Sequence, residues 1–381
     1  MKRYEYHRPR SLAEALRLKA ADPGACYVAG STDVTVRVRA GDLAPTALIS
    51  LRGVPEVRGI DFGAGARIGA LTTIGEIAAH PGLREAYPVL AQAAAVLGSV
   101  QIRNVATVGG NLCNASPCAD TAPALLVLGA RLRLEGPGGH REVALEEFFR
   151  GPGATCLTKD EVVTHVLLDP PASGARSAYR KQGRVHMDLA QASLAVLVEV
   201  DGAVCRRAMV AAGSVAPVPL RLKAVEALLA GVRLEGAVLA EAAALAARTV
   251  APITDVRATA GYRRAIVGVF LRRMLEELRD GGARPGGQVS GKTSLIGRGR
   301  AARSWGVGRG GAAGRESFDS GHENPRAQES KSPLCPTPGT HPPTPTGHSS
   351  PGVGRTGPGD AGTDRGAPSL TWSVDQVTVQ P

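Results

Sequence analysis

Ala29-Gly30-Ser31-Thr32-Asp33 and, well downstream, Thr107-Val108-Gly109-Gly110-Asn111 are the stretches that decide how this 381-residue chain reads. Each abuts an apolar segment and combines small residues with hydroxyl or amide side chains. Glycine lacks the Cβ that keeps a main chain away from a ligand, and successive free N–H groups form a concavity that attracts anions. Two such segments suit one large dinucleotide held between them. Val28, Ala29, Gly30, Ser31, Thr32 and Asp33 would lie on one side, with Thr107, Val108, Gly109, Gly110 and Asn111 on the other.

Outward from the first segment, Ser11-Leu12-Ala13-Glu14 has the S-x-x-E capping pattern, and the apolar spacing behind it predicts a helix over 12–21. Residues 26–29 read as a short buried strand and 46–51 as the next. This is a βαβ-like unit with its glycine segment at the end of the first strand, where α/β folds take ligands. Strands are expected at 57–60 and 67–71, then a helix behind the second capping pattern, Thr73-Ile74-Gly75-Glu76. An alanine-rich helix at 88–97, a buried helix at 121–128 and strands at 131–134, 141–143 and 161–168 complete a second α/β unit. Pro170-Pro171-Ala172-Ser173-Gly174 closes it as a linker. From about Arg176 the order changes: strands at 189–200 and 203–212 flank the hairpin dipeptide Asp201-Gly202, and helices follow near 221–230, 236–249 and 258–279. Strands first and helices after suggest a small α+β domain. The expected divisions are 1–55, 56–172 and 176–280.

From Gly281 onward about a third of the residues are Gly or Pro, with few large apolar side chains, a composition that burial cannot hold folded. The stretch 281–381 is therefore expected to be a disordered tail. The net charge of +11 suits an anionic cofactor or nucleic acid, but it is more often that of an ordinary solvated surface. No apolar run is long enough to span a membrane, and the start, Met1-Lys2-Arg3-Tyr4-Glu5-Tyr6, lacks a secretory signal's apolar stretch. The cysteines at 26, 113, 118, 156, 205 and 335 have no paired spacing, which argues for reduced thiols and a cytoplasmic protein.

Three patterns are decoys. Gly286 to Thr293 satisfies G-x-x-x-x-G-K-T, but no strand precedes it and no core helix follows. Gly63-Ala64-Gly65 with Gly69 imitates a dinucleotide fingerprint, yet strand residues follow where a helix should begin, so a hairpin is expected. Cys113 and Cys118 give half of an iron–sulfur spacing without further ligands and read as small packing residues.

The densest patch runs from Gln101-Ile102-Arg103-Asn104 through the second glycine segment to Cys118-Ala119-Asp120. With the first segment upstream, the run Ala178-Tyr179-Arg180-Lys181-Gln182-Gly183-Arg184-Val185-His186-Met187-Asp188-Leu189-Ala190 downstream and Ala260-Gly261-Tyr262-Arg263-Arg264 near the helical end, the chain resembles the flavin-binding subunit of the molybdenum hydroxylases. That family includes xanthine dehydrogenase and aerobic carbon monoxide dehydrogenase, and the likeness runs from Tyr4 to about Leu278. It implies an α+β, PCMH-type FAD fold: two α/β subdomains with FAD between them and a C-terminal α+β domain over one side of the flavin.

The resemblance also implies that the two glycine segments hold the diphosphate and its flanking sugar groups, and that Asp120 and Lys181 make further flavin contacts. Ser31 stands where many relatives carry a second glycine. By themselves, Asp33 and Asp120 read equally as helix caps, and Lys181 as a strand lysine on the surface or as a fixed positive charge near the flavin's pyrimidine edge. The implied role is an oxidoreductase subunit that takes electrons from a 2Fe-2S subunit, itself supplied by a molybdopterin subunit, and passes them to NAD or another acceptor. Two other readings stand beside it: a self-sufficient flavin oxidase of the same fold, and a nucleic-acid-binding protein that uses the basic tail around Gly308-Arg309-Gly310-Gly311.

Overall fold

The computed structural model describes residues 4–281. The stretch expected to be disordered beyond Gly281, the G-x-x-x-x-G-K-T pattern, the Gly/Arg element and Cys335 lie outside the described residues.

The chain opens with β1 (Glu5–His7), α1 (Leu12–Ala21), β2 (Cys26–Val28), α2 (Val34–Ala40) and β3 (Ala47–Ser50). Ser11 caps α1 by accepting from the Glu14 N–H, and the Glu14 carboxylate accepts from the Arg10 N–H. The strands form a parallel sheet in the order β1-β3-β2. Ala15 of α1 packs with Ile49, Leu51, Val54 and Val57 in a small core. The strand expected at 57–60 begins later. Pro55 starts a 3-10 turn over Pro55–Val57, Gly59 takes a left-handed φ of +90°, and only then does β4 (Ile60–Phe62) form.

The second region continues with β5 (Ala66–Gly69), α3 (Ile74–Ala79), α4 (Pro81–Ala86), α5 (Pro88–Ala95), α6 (Val100–Arg103), α7 (Val108–Cys113), α8 (Thr121–Val127), β6 (Arg131–Gly136), β7 (Gly139–Ala144), α9 (Leu145–Phe148), β8 (Phe149–Gly151), β9 (Ala154–Thr155) and β10 (Val162–Leu168). Its antiparallel sheet runs β4-β5-β10-β6-β7. One face, with Ile68, Leu132, Leu134, Val163 and Val166, lies in the core against the helices. Residues alternate outward as Arg67, Arg131 and Arg133, the pattern of an antiparallel sheet wetted on one side. Gly63-Ala64-Gly65 turns the β4–β5 hairpin, as expected.

The third region holds β11 (Ala175–Gln182), β12 (Ala192–Asp201), β13 (Val204–Gly213), β14 (Leu220–Arg221), α10 (Lys223–Leu229), β15 (Val232–Arg233), α11 (Gly236–Thr249) and α12 (Ala260–Arg279). β12 starts at Ala192 rather than 189 because Arg184 and Asp188 close a turn at 2.7 Å that leaves Leu189 half-exposed. The antiparallel sheet β11-β12-β13-β14 is covered on both faces. Tyr179, Ala195, Met209 and Ala211 join the core of the second region, while Leu194, Val196, Val198 and Val210 join a separate core with α10, α11 and α12. That double burial explains why β12 is nearly continuously apolar.

Candidate functional site

The two glycine segments lie against one another. A Cβ on Gly30 would sit 2.2 Å from the Val105 carbonyl oxygen and 2.9 Å from Ala106 Cα, and one on Gly110 would come within 3.9 Å of the Ala29 Cβ. Thr107 also bridges to Thr73 in an isolated antiparallel pair. At Gly109 the added carbon would meet Ala70, 2.6 Å from its Cβ and 2.8 Å from its oxygen. The missing side chains at Gly30 and Gly109 thus serve contact between parts of this chain, a role that sequence alone assigned to a ligand.

The amides of the two segments are used differently. Expected as a loop, the second segment is the first turn of α7. Val108 donates to the Thr72 oxygen at 3.1 Å, Gly109 to the Ala70 oxygen at 2.8 Å, Asn111 to the Thr107 oxygen at 2.9 Å, and Gly110 to the capping Thr107 hydroxyl at 3.1 Å. These donors are spent. In the first segment the N–H groups of Gly30, Ser31, Thr32 and Asp33 donate to nothing among the described residues. Their opposite edge is held: Arg52 donates through Nε to the Ala29 oxygen and through Nη2 to the Gly30 oxygen, each at 3.0 Å. Ser31 has a left-handed φ of +63°, which explains on backbone grounds a preference for glycine there.

A row of unspent amides ahead of α2, with arginine behind it and no carboxylate hydrogen-bonding those amides, has the donor chemistry that a diphosphate requires. Val28 is buried at the end of β2. Gly30 and Ser31 are half-buried and Gly110 is exposed, so the junction of the segments opens to solvent. Beside it a cavity of about 260 Å³ runs from Ser31 between α2 and the sheet, walled by Tyr4, Tyr6, Val34 and Val38. Asp33 stands at the N-cap position of α2 but makes no side-chain capping bond; its carboxylate accepts from the Thr32 hydroxyl at 3.3 Å.

Asp120 and Lys181 meet each other. Lys181 Nζ lies 2.7 Å from Asp120 Oδ2 and donates also to the Val96 oxygen at 3.2 Å, and both side chains are 5% exposed. Lys181 is therefore a buried, ion-paired lysine rather than a surface one, and Asp120 makes no helix-capping bond. The Tyr179 hydroxyl donates to Asp120 Oδ1 at 3.0 Å, and the Tyr179 N–H is fixed on Gln92 at 2.8 Å. Burial holds the Asp120 carboxyl above its ordinary value against the opposing pull of Lys181, and burial with the nearby carboxylate pushes the Tyr179 phenol well up. The Thr121 hydroxyl donates to the Asn111 side-chain oxygen at 2.6 Å, which links this cluster to the second glycine segment. Sequence reasoning did not find Arg52, Gln92 or the role of Tyr179. Arg52 had only its position directly after the strand that neighbours the first segment as a signal.

Among the described residues no group of three or more His, Cys, Asp or Glu side chains is gathered for a metal ion. Cys113 is exposed, since the turn of α7 that buries Leu112 faces its last residue outward, and the expectation that it packs is corrected. No helix among the described residues is long and apolar enough to cross a membrane.

Residues 2–170 match the family model described as the FAD binding domain in molybdopterin dehydrogenase, and residues 177–278 match the CO dehydrogenase flavoprotein C-terminal domain. The chain is 32% identical over 278 residues to the carbon monoxide dehydrogenase medium chain of Afipia carboxidovorans, covering 72% of this chain and 96% of that one. It is 31% identical over 276 residues to a putative xanthine dehydrogenase FAD-binding subunit of Escherichia coli, covering 71% and 94%. Among solved structures, the cyanide-inactivated Cu,Mo-CO dehydrogenase aligns with a TM-score of 0.70 at 32% identity, over 73% of this chain and 98% of that one. Quinoline 2-oxidoreductase from Pseudomonas putida aligns with a TM-score of 0.70 at 26% identity, over 74% and 99%.

Proposed function

The chain belongs to the FAD-binding medium subunits of the molybdenum hydroxylases, and from that premise we propose that it receives electrons from a 2Fe-2S subunit and delivers them to NAD or a comparable acceptor. FAD is the cofactor, and when bound it supplies the step between one-electron carriers and a two-electron acceptor. The chain's own part is to hold, orient and shield it. The observation that carries this reading is the row of unspent amides at Gly30, Ser31, Thr32 and Asp33 beside the α7 turn. Those amides, with the hydroxyls of Thr32 and Thr107 and the side-chain amide of Asn111, would hold the linked phosphates and sugars, with Ala29 and Gly110 beneath them, while the buried Val28, Val108 and Gly109 fix the two segments from within.

Asp120 and Lys181 act as a neutralised pair within this site. The pair fixes the strand of the third region against the second, so that one rigid wall faces the flavin. The three regions 1–55, 56–172 and 176–280 divide the work as two cradle halves and a cover. The protein works in the cytoplasm beside its iron–sulfur and molybdopterin partners.

The test is purification of the full chain followed by flavin analysis. One FAD per chain, with a visible flavin spectrum and FAD rather than FMN released on denaturation, is the expected result. A colourless protein that takes up no FAD would overturn the reading. For electron flow, the assembled complex given its reducing substrate under anaerobic conditions should bleach the flavin only when the iron–sulfur subunit is present. Bleaching without that subunit would overturn the relay.

A further inference from the structure

We propose that Arg52 is a positioning residue for the cofactor: by gripping two consecutive carbonyls of the first glycine segment, it turns the next two amides toward the diphosphate. The inference rests on the FAD reading above and adds a residue to it. In a trans peptide unit the C=O and the following N–H point in opposite directions. The Ala29 oxygen shares its peptide plane with the Gly30 N–H, and the Gly30 oxygen shares its plane with the Ser31 N–H. Arg52 Nε and Nη2 hold those two oxygens at 3.0 Å each. One guanidinium fork thus fixes two peptide planes and aims two donors away from itself. They are among the donors that have no partner among the described residues.

The grip is itself anchored. Leu51, one residue before, is buried in the first core, and the Arg52 oxygen accepts from Arg58 Nη2 at 3.1 Å. At Gly53, one residue after, a Cβ would sit 2.7 Å from the Pro9 oxygen, so the backbone there packs closely on Pro9. Arg52 is otherwise exposed and hydrogen-bonds to no carboxylate among the described residues. A planar fork suits a pair of adjacent carbonyls; a lysine ammonium supplies charge without that fixed geometry. The left-handed Ser31 follows directly. Gripping the two preceding carbonyls holds the chain at the entrance to that otherwise unfavourable turn.

The test compares the full chain, freed of flavin, with Arg52→Ala and Arg52→Lys in fluorescence titrations against FAD and riboflavin, which lacks the diphosphate. The wild type should prefer FAD strongly. Arg52→Ala should weaken FAD by about tenfold or more, leave riboflavin within about twofold, and keep the melting temperature of the flavin-free protein. Arg52→Lys should recover little of that loss. The phosphorus resonances of FAD bound at saturation should move in both variants. FAD affinity unchanged in Arg52→Ala, or fully restored by Arg52→Lys, would overturn the positioning role, and equal weakening of FAD and riboflavin would make Arg52 a fold residue only. A wild type that does not distinguish FAD from riboflavin would instead overturn the underlying placement of the diphosphate.

Discussion

Ser31 holds a backbone conformation that costs an L-residue about 1–2 kcal/mol, with φ at +63° and its hydroxyl turned back on the Ala29 oxygen at a long 3.5 Å. Glycine would remove that strain while losing more entropy on folding, so the two effects nearly offset. Ser31→Gly should therefore leave stability unchanged or raise it by up to about 1 kcal/mol, whereas Ser31→Val should lower it by about 1–2 kcal/mol because a branched Cβ tolerates this region poorly. Urea unfolding checks both, and a Ser31→Val protein as stable as wild type would refute the strain. At Lys181 the balance is electrostatic. Removing its ammonium leaves the buried Asp120 carboxylate without its ion-pair partner, and Lys181→Met should cost about 3–5 kcal/mol. Adding Asp120→Asn in the same chain should return more than half of the loss. A double variant no more stable than the single one would show that packing, not charge, sets the cost.

Among the elements, α7 shows where the sequence was legible and where it was not. Thr107 accepts from the Gly110 N–H in the same way that Thr73 accepts from the Glu76 N–H, yet only the second was readable, because Glu76 completes a capping box and Gly109-Gly110 reads as a loop on propensity. Tertiary contact overrides that propensity: the Val108 and Gly109 amides are taken up by the Thr72 and Ala70 carbonyls. The helices at 12–21 and 88–97 were legible from periodicity, and the two glycine segments from residue type. Which amides are free was not legible, since that depends on Ala70, Thr72 and Arg52, all remote in sequence. Gly109→Ala should displace α7 from Ala70 and destabilise the chain by about 1–3 kcal/mol with loss of FAD, read by thermal melting and flavin content. Wild-type melting and flavin content in that variant would refute the close contact.

A second device at this scale is the strap between β7 and the start of β10. Arg141 forks onto Glu161, which also accepts from the Thr158 N–H, and this holds the Glu161 carboxyl at about 2 against an ordinary 4.5. A depressed carboxyl contributes stability that is fully present above pH 4.5 and is lost as pH falls toward 2. Glu161→Gln should flatten that part of the stability–pH curve measured by urea unfolding. An unchanged acid slope would remove Glu161 from the account.

For the molecule as a whole, the third region buries one face of its sheet only against the second. Tyr179, Ala195, Met209 and Ala211 are buried against the helices of the second region, and the Tyr179–Asp120–Lys181 cluster and the Gln92 contact cross the same boundary. The sequence marks this boundary with a Pro/Gly linker, but a linker records where the chain crosses and not how much apolar surface the two sides share. A shared core implies that the described residues unfold together rather than region by region. Urea unfolding of the full chain followed by far-UV and by near-UV circular dichroism should give superimposable single transitions, the tyrosines at 4, 6, 27, 87, 179 and 262 reporting from all three regions. Residues 176–281 expressed alone would expose the face that carries Tyr179 and Met209 and should aggregate. A monomeric fragment with its own cooperative transition would mean that the sheet is satisfied by α10, α11 and α12 alone, and the single wall proposed to face the flavin would then be two separable parts.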